Sequence, residues 1–122
     1  MASAVRALRG ATTVDADTDE QITERVQSLV REMLARNGIE KDALISIIFT
    51  ATDDLTAVFP ATAARGIGLG DVPLLCAREL SVRDGTPRCI RVLMHFTTDR
   101  EPSELRHVYL EGAKGLRDDL PG

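Results

Sequence analysis

The segment from Arg88 to Phe96 alternates between two kinds of side chain, and this alternation restricts the fold more than any other feature of the sequence. Successive side chains of a β-strand point to opposite faces of the sheet, so the alternation predicts a strand with two different faces. One face carries Ile90, Val92, Met94 and Phe96, and the other carries Cys89, Arg91, Leu93 and His95. The second set is too apolar for open water and too charged for a closed core. We expect it to form a subunit interface that lines a polar pocket.

The clearest helix pattern begins at Thr18, which is a good N-cap residue with Gln21 three positions later, as in a capping box. Apolar side chains then recur at helical spacing, at Ile22, Val26, Leu29, Val30, Met33 and Leu34. They predict a helix with one buried stripe. The pair Asn37-Gly38 is a stop signal for this helix.

The rest of the chain predicts further strands, a short helix and a hairpin. The predicted elements are strands at Val5–Gly10, Leu44–Ala51 and Val72–Ala77, a short helix at Pro60–Arg65 and a hairpin turn at Asp84-Gly85. Gly10 is expected to end the first strand, and a polar connection is expected from Ala11 to Ala16. The second strand is apolar on both sides of its alternation, so both of its faces are expected to be covered.

The sequence after Phe96 has two interpretations. Either Ser103 caps a short helical segment, or the chain runs extended through His107 to Tyr109. The tail from Arg117 to Gly122 is polar and is expected to fray.

This order of elements predicts an α+β fold, with a mixed β-sheet and helices packed on one face of it. A length of 122 residues suits a single domain spanning residues 1–122. The chain is 43% hydrophobic and 28% charged, which is typical of a globular protein. No run of about 18 apolar residues is present, so the sequence predicts no membrane span.

Charge and cysteine content restrict the partners. A net charge of −4 and a pI near 5.1 argue against nucleic acid, whose phosphates need clustered basic residues. The basic residues are mostly Arg, whose planar fork can grip a carboxylate in two places. Cys76 and Cys89 belong to no CxxC motif or Cys/His cluster. We therefore expect two free thiols, a cytoplasmic location and no metal site.

Five motifs are distinctive, and they occur in register along nearly the whole chain. They are RGATTV at 9–14, ATDDLTAVFPA at 51–61, VPLLCARE at 72–79, CIRV at 89–92 and RHVYLE at 106–111. In this order they closely resemble the monofunctional chorismate mutases of the trimeric class. The resemblance implies a ferredoxin-like subunit and a homotrimer that forms a pseudo-α/β barrel with interfacial active sites.

The resemblance also implies a reaction, the [3,3] Claisen rearrangement of chorismate to prephenate in phenylalanine and tyrosine biosynthesis. This reaction needs no nucleophile, proton transfer or cofactor. The enzyme would hold the substrate dianion in its compact reactive conformer and stabilise the negative charge that develops on the ether oxygen.

Eight positions match site residues of the family. By resemblance, Arg91 faces the breaking ether bond, Arg9 binds a carboxylate, and Glu79 accepts a hydrogen bond from the substrate hydroxyl and braces Arg91. The remaining matches are Arg65 as a third arginine, Tyr109 as a donor to a carboxylate, Cys76 as a hydrogen-bonding residue, and Phe59 and Leu116 as apolar walls. For Arg65 an alternative of equal weight is a charge that complements the C-terminal dipole of its helix.

Two other functions remain open at the level of sequence. A trimeric enamine/imine deaminase of related fold also uses an interfacial Arg for a carboxylate, but lacks the combination of Arg9, Glu79, Arg91 and Tyr109. A non-catalytic module that binds an aromatic-pathway metabolite would keep the arginines that grip carboxylates. It would have no need of a donor at the ether oxygen.

Overall fold

The computed structural model describes residues 3–116 as a five-stranded sheet with helices packed on one face. The strands are β1 (Ala4–Thr13), β2 (Leu44–Ala51), β3 (Leu74–Arg78), β4 (Cys89–Thr98) and β5 (Val108–Tyr109), and the helices are α1 (Asp19–Asn37) and α2 (Pro60–Gly66). Short 3₁₀ segments occur at Lys41–Ala43, Pro102–Glu104 and Glu111–Ala113. The predicted α+β class with a mixed sheet is confirmed. Within the described range, no helix is both long and apolar enough to cross a membrane.

The strand order is β3-β2-β4-β1-β5, which places β4 at the centre. β4 pairs with β1 and β2 in antiparallel fashion, whereas β3 and β5 are short edge strands that run parallel to their neighbours. The predicted apolar face of β4 is buried against the helices, with Ile90, Met94 and Phe96 fully inaccessible to solvent.

Helix α1 supplies the other side of this core. Val26, Leu29, Val30 and Met33 are fully buried, as the helical spacing predicts. Thr18 caps the helix by accepting a hydrogen bond from Gln21 N, and Gly38 ends it with a left-handed φ of 60°. The Gln21 side chain departs from the predicted capping box: its Oε1 accepts from Ala16 N at 2.9 Å and also from Asp15 N.

The prediction that Gly10 ends the first strand is wrong. β1 continues to Thr13, and Ala11 and Thr13 are buried and not part of a polar connection. Gly10 faces α1, where a Cβ atom would lie 2.5 Å from Met33 Sδ. Position 10 therefore requires glycine because α1 packs closely on β1 there. A glycine in this role does not interrupt the strand.

The predicted hairpin at Asp84-Gly85 is also wrong. Asp84 has a left-handed φ of 64° and Gly85 N donates to Val82 O, so a turn is present. However, β3 and β4 lie on opposite sides of β2 and do not pair. The chain between them has to cross the end of β2, which explains why the local turn signal does not produce a hairpin.

Both interpretations of the segment after β4 are partly right, because the two structures follow one another. A 3₁₀ turn spans Pro102–Glu104, and β5 follows at Val108–Tyr109. The turn is capped by Glu101 and not by Ser103, since the Glu104 side chain accepts from Glu101 N at 2.8 Å. The tail predicted to fray, 117–122, lies outside the described residues.

The sheet face opposite the helices is open in a single chain. Ile47 and Phe49 of β2 are buried, but Ile45 is 42% exposed and Ile48 only half-buried, so the prediction that both faces of this strand are covered fails for one chain. Cys89 was predicted to lie on the open face together with Arg91 and Leu93. In the single chain it is nevertheless buried, with only 2% of its surface exposed. Its backbone N–H and C=O are hydrogen-bonded to Thr52, the residue just after β2.

We predict that Gly10→Ala destabilises the protein. The added methyl would meet the buried side chains of Met33 and Leu29, and overpacking of this kind typically costs about 1–3 kcal/mol. Urea denaturation at fixed protein concentration measures the change in the free energy of unfolding. Gly70→Ala is the matched control, since no atom lies within 4 Å of a Cβ there. Equal unfolding midpoints for the two variants would contradict the close packing of α1 on β1.

Candidate active site

Strand register brings side chains from four strands together on the open face of the sheet. Arg91 pairs with Ala11 on one side and Thr50 on the other, and Tyr109 pairs with Ala11. Residues that pair across a sheet share a face, so these side chains form one row. The next row joins Arg9, Leu93 and Ile48 in the same way. Together with Glu79 they line a hollow of about 270 Å³.

Arg91 and Glu79 form an ion pair in this hollow. Arg91 Nε lies 3.3 Å from Glu79 Oε2, and the two side chains are 48% and 25% exposed. The same carboxylate oxygen accepts a hydrogen bond of 2.8 Å from Thr50 Oγ1, and Leu80 N donates to the other oxygen at 3.2 Å. Glu79 thereby holds the guanidinium through Nε. The two terminal nitrogens carry the N–H groups suited to a bidentate contact with an anionic ligand.

Arg9 lies at the rim of the same hollow and is held through its backbone. Its N–H donates to Nδ1 of His107 at 3.0 Å, a bond that ties β1 to the residue just before β5. Because the His107 ring accepts this bond, it serves a structural role. The bond sets the position of Arg9 relative to Tyr109, two residues beyond His107.

The segment after Tyr109 is fixed against the end of β1. Leu110 N donates to Ala11 O at 2.9 Å, and Gly112 N donates to Thr13 Oγ1 at 2.9 Å. A Cβ atom on Gly112 would lie 2.7 Å from that hydroxyl oxygen, so the close approach depends on glycine. These contacts hold the half-buried Tyr109 beside Arg91 and Arg9.

Cys76 and Phe59 lie elsewhere. They line a second hollow of about 540 Å³, formed by residues 51–60 and the end of β3. Cys76 pairs in register with Phe49, a core residue, so its side chain lies on the helix side of the sheet and not on the open face. Phe59 is 70% exposed. One chain therefore presents six of the eight predicted site residues as two separate groups.

Arg65 and Leu116 line neither of these two hollows. Arg65 is exposed in the last turn of α2, a position that also suits a charge complementing the helix dipole. Leu116 is half-buried after the last 3₁₀ segment.

Sequence reasoning missed Thr50, the hydroxyl that orients Glu79. Its signal was present in the alternation of β2, which places Thr50 on the same face as Ile48 and opposite the buried Phe49. In the part of the chain from residue 3 to residue 116, no three His, Cys, Asp or Glu side chains are grouped so as to hold a metal ion.

Comparison with known proteins identifies relatives along almost the full chain. The family model described as chorismate mutase type I matches residues 5–120. The chorismate mutase AroH of Thermus thermophilus is 50% identical over 117 residues, covering 95% of this chain and 96% of the relative. AroH of Bacillus subtilis is 41% identical, covering 95% of this chain and 92% of the relative. The solved chorismate mutase of Clostridium thermocellum matches with a TM-score of 0.88 and 49% identity, covering 89% of this chain and 97% of that chain.

We predict that the two thiols differ in reactivity. Burial raises the pKa of the Cys89 thiol, an effect that the charge of Arg91 offsets only in part, so little reactive thiolate forms there. Cys76 is only partly buried. A thiol reagent that reports by absorbance should react rapidly with one thiol in the native protein and with the second only after unfolding. Cys76→Ser should abolish the rapid phase, and Cys89→Ser should leave it. Rapid reaction at Cys89 would contradict the burial of its thiol.

Proposed function

The chain belongs to the chorismate mutase type I family, and from this premise we propose that it rearranges chorismate to prephenate beside the Arg91–Glu79 pair. The observation that carries the proposal is this ion pair, at 3.3 Å, set in a hollow with Arg9 and Tyr109. Three of these side chains can donate to oxygen anions, which suits a substrate with two carboxylates and an ether oxygen.

The reaction is a concerted rearrangement in which the ether C–O bond breaks as a new C–C bond forms. Negative charge builds up on the ether oxygen in the transition state. The protein has to bind the compact conformer of the substrate and to offer a preorganised donor to that oxygen. Neither task needs a proton to leave or enter the substrate.

Arg91 is the donor that we assign to the ether oxygen. Its interaction is stronger with the transition state than with chorismate, and only such a difference accelerates the chemical step. Glu79 holds Nε, so the terminal nitrogens are preorganised and little reorganisation is needed during the reaction. Thr50 keeps the Glu79 carboxylate in place through its 2.8 Å hydrogen bond.

The remaining polar groups bind the substrate. We assign Arg9 and Tyr109 to the carboxylates, because both lie beside Arg91 in the same hollow. Glu79 is also positioned to accept a hydrogen bond from the substrate hydroxyl, since a carboxylate has several acceptor sites and Thr50 and Leu80 use only part of them.

A second copy of the chain completes the site in this proposal. Cys76 and Phe59 lie in a separate hollow, so they meet the substrate only if the hollow of one subunit faces the ion pair of another. The open sheet face supports this, because it exposes apolar side chains that a monomer would leave in water, among them Val5, Ile45 and Leu75. We propose a homotrimer in which three such faces form a pseudo-α/β barrel. Arg65 would approach with Phe59, and Leu116 with Tyr109.

We also propose that the enzyme works in the reducing cytoplasm. In the role that the family resemblance implies, Cys76 has to remain a thiol to form a hydrogen bond near the substrate hydroxyl. Both cysteines are free, which agrees with a compartment that keeps thiols reduced.

We expect Arg91→Ala to lower kcat roughly 100-fold or more. This corresponds to a rise of at least about 3 kcal/mol in the activation free energy, as is typical for the loss of one preorganised donor to a developing oxyanion. Loss of chorismate absorbance measures the rate. Citrulline at position 91, introduced semisynthetically, keeps most of the N–H geometry and removes the charge. It should bind substrate and still lose most of kcat. Arg9→Ala should instead raise KM more than it lowers kcat, because a carboxylate changes little during the reaction.

The same assay distinguishes the alternatives. A deaminase or a binding module would not consume chorismate. A citrulline variant that turns over at nearly the parental rate would show that positioning, and not charge, accounts for the effect of Arg91.

Subunit complementation tests the interfacial site. In the proposed trimer, Arg91→Ala impairs the group of residues around the ion pair. Arg65→Ala impairs the group that approaches with Phe59 from the neighbouring subunit. Random assembly of the two coexpressed variants should give trimers in which about a quarter of all sites combine two intact groups. Activity should therefore rise well above that of either variant alone. Light scattering should give a mass near three times 13.3 kDa. No recovery in mixed trimers, or a fully active monomer, would refute the shared site.

A further inference from the structure

Asp17 joins two connections that are far apart in sequence. It lies between β1 and α1, immediately before the N-cap Thr18. Its carboxylate accepts hydrogen bonds from Thr56 N at 3.0 Å to each oxygen, from Thr56 Oγ1 at 2.8 Å and from Ala57 N at 3.0 Å. One exposed side chain therefore satisfies three donors of the loop between β2 and α2.

This loop, residues 52–59, has no regular backbone hydrogen bonding and carries Phe59 at its end. Its first half is tied to the start of β4, where Thr52 Oγ1 accepts from Cys89 N and Asp54 accepts from Arg88 N. The contact with Asp17 holds the second half. Thr56, Ala57 and Phe59 all line the second hollow together with Cys76.

We propose that Asp17 is a positioning residue for substrate binding, which fixes the loop so that Phe59 is presented in its binding position. The inference rests on the proposed function, in which Phe59 and Cys76 face the substrate held by a neighbouring subunit. An irregular loop loses conformational freedom when it binds a ligand. The hydrogen bonds of Asp17 to Thr56 and Ala57, which we call the clasp, order the loop beforehand and reduce this cost. The hydrogen bonds from Thr56 lower the pKa of the Asp17 carboxyl, because they stabilise its ionised form.

Because Asp17 acts on a pocket wall and not on the ether oxygen, its loss should change KM rather than kcat. We expect Asp17→Ala to raise KM for chorismate about tenfold, with kcat within about twofold of the parent. Asp17→Asn keeps one oxygen for the two backbone donors, and its amide can donate to the Thr56 hydroxyl. It should raise KM by a smaller factor than Asp17→Ala.

Asp71→Asn is the matched control, because it removes one negative charge from an exposed loop position outside both hollows. It should leave KM unchanged. Amide hydrogen exchange of the free protein measures the hydrogen bonds of the clasp without any substrate. The amides of Thr56 and Ala57 should be protected from exchange in the parent and lose this protection in Asp17→Ala.

These measurements separate the inference from the proposed function. A parent protein that does not consume chorismate refutes the function, whereas exchange at Thr56 and Ala57 still reports the clasp. If the parent is active, three results overturn the role of Asp17: equal KM in Asp17→Ala and Asp71→Asn, a fall in kcat alone, or unchanged exchange. A higher KM with loss of protection, and partial rescue by Asp17→Asn, supports it.

Discussion

The central position of β4 is the constraint on which the rest of the structure depends. Neighbouring strands bond to it on both sides, so its alternation is imposed on them through the register. One face is apolar and buried beneath α1 and α2, and the other brings Arg91 and Leu93 into rows with residues of β1 and β2. A slip of one residue would exchange the two faces and place Arg91 in the core. The hydrophobic cost of that exchange fixes where the guanidinium lies.

The ion pair of Arg91 and Glu79 is better suited to positioning than to stability. Both side chains are partly exposed, and exposed ion pairs contribute little to folding. The value of the pair lies in geometry: Thr50 and Leu80 N orient the carboxylate, and the carboxylate orients the guanidinium through Nε. Orientation of this kind is set during folding, before any ligand binds, and the catalytic role proposed for Arg91 depends on such preorganisation.

The second group of residues follows a different physical logic. Cys76 is placed by its register with Phe49, but Phe59 ends an irregular loop, where no strand register defines its position. Local hydrogen bonds take over that task, with Asp54 holding the first half of the loop and Asp17 the second.

The sequence by itself determined what depends on neighbouring residues. The apolar face of β4, the buried stripe of α1 with its Thr18 cap and Gly38 stop, and the short helix that begins at Pro60 all reflect local periodicity or capping, and each appears as predicted. Arg9, Glu79, Arg91 and Tyr109 were named through motifs, and the structure brings these four together.

Only the tertiary structure decided what depends on distant segments. The crossing of the chain over β2 overrode the hairpin signal at Asp84-Gly85, and the packing of Met33 explained Gly10 without a strand end. Pairing also placed Cys76 on the opposite face of the sheet from Arg91. Contacts such as Thr50 to Glu79 and Asp17 to Thr56 join residues separated by 29 and 39 positions, and no local pattern encodes them.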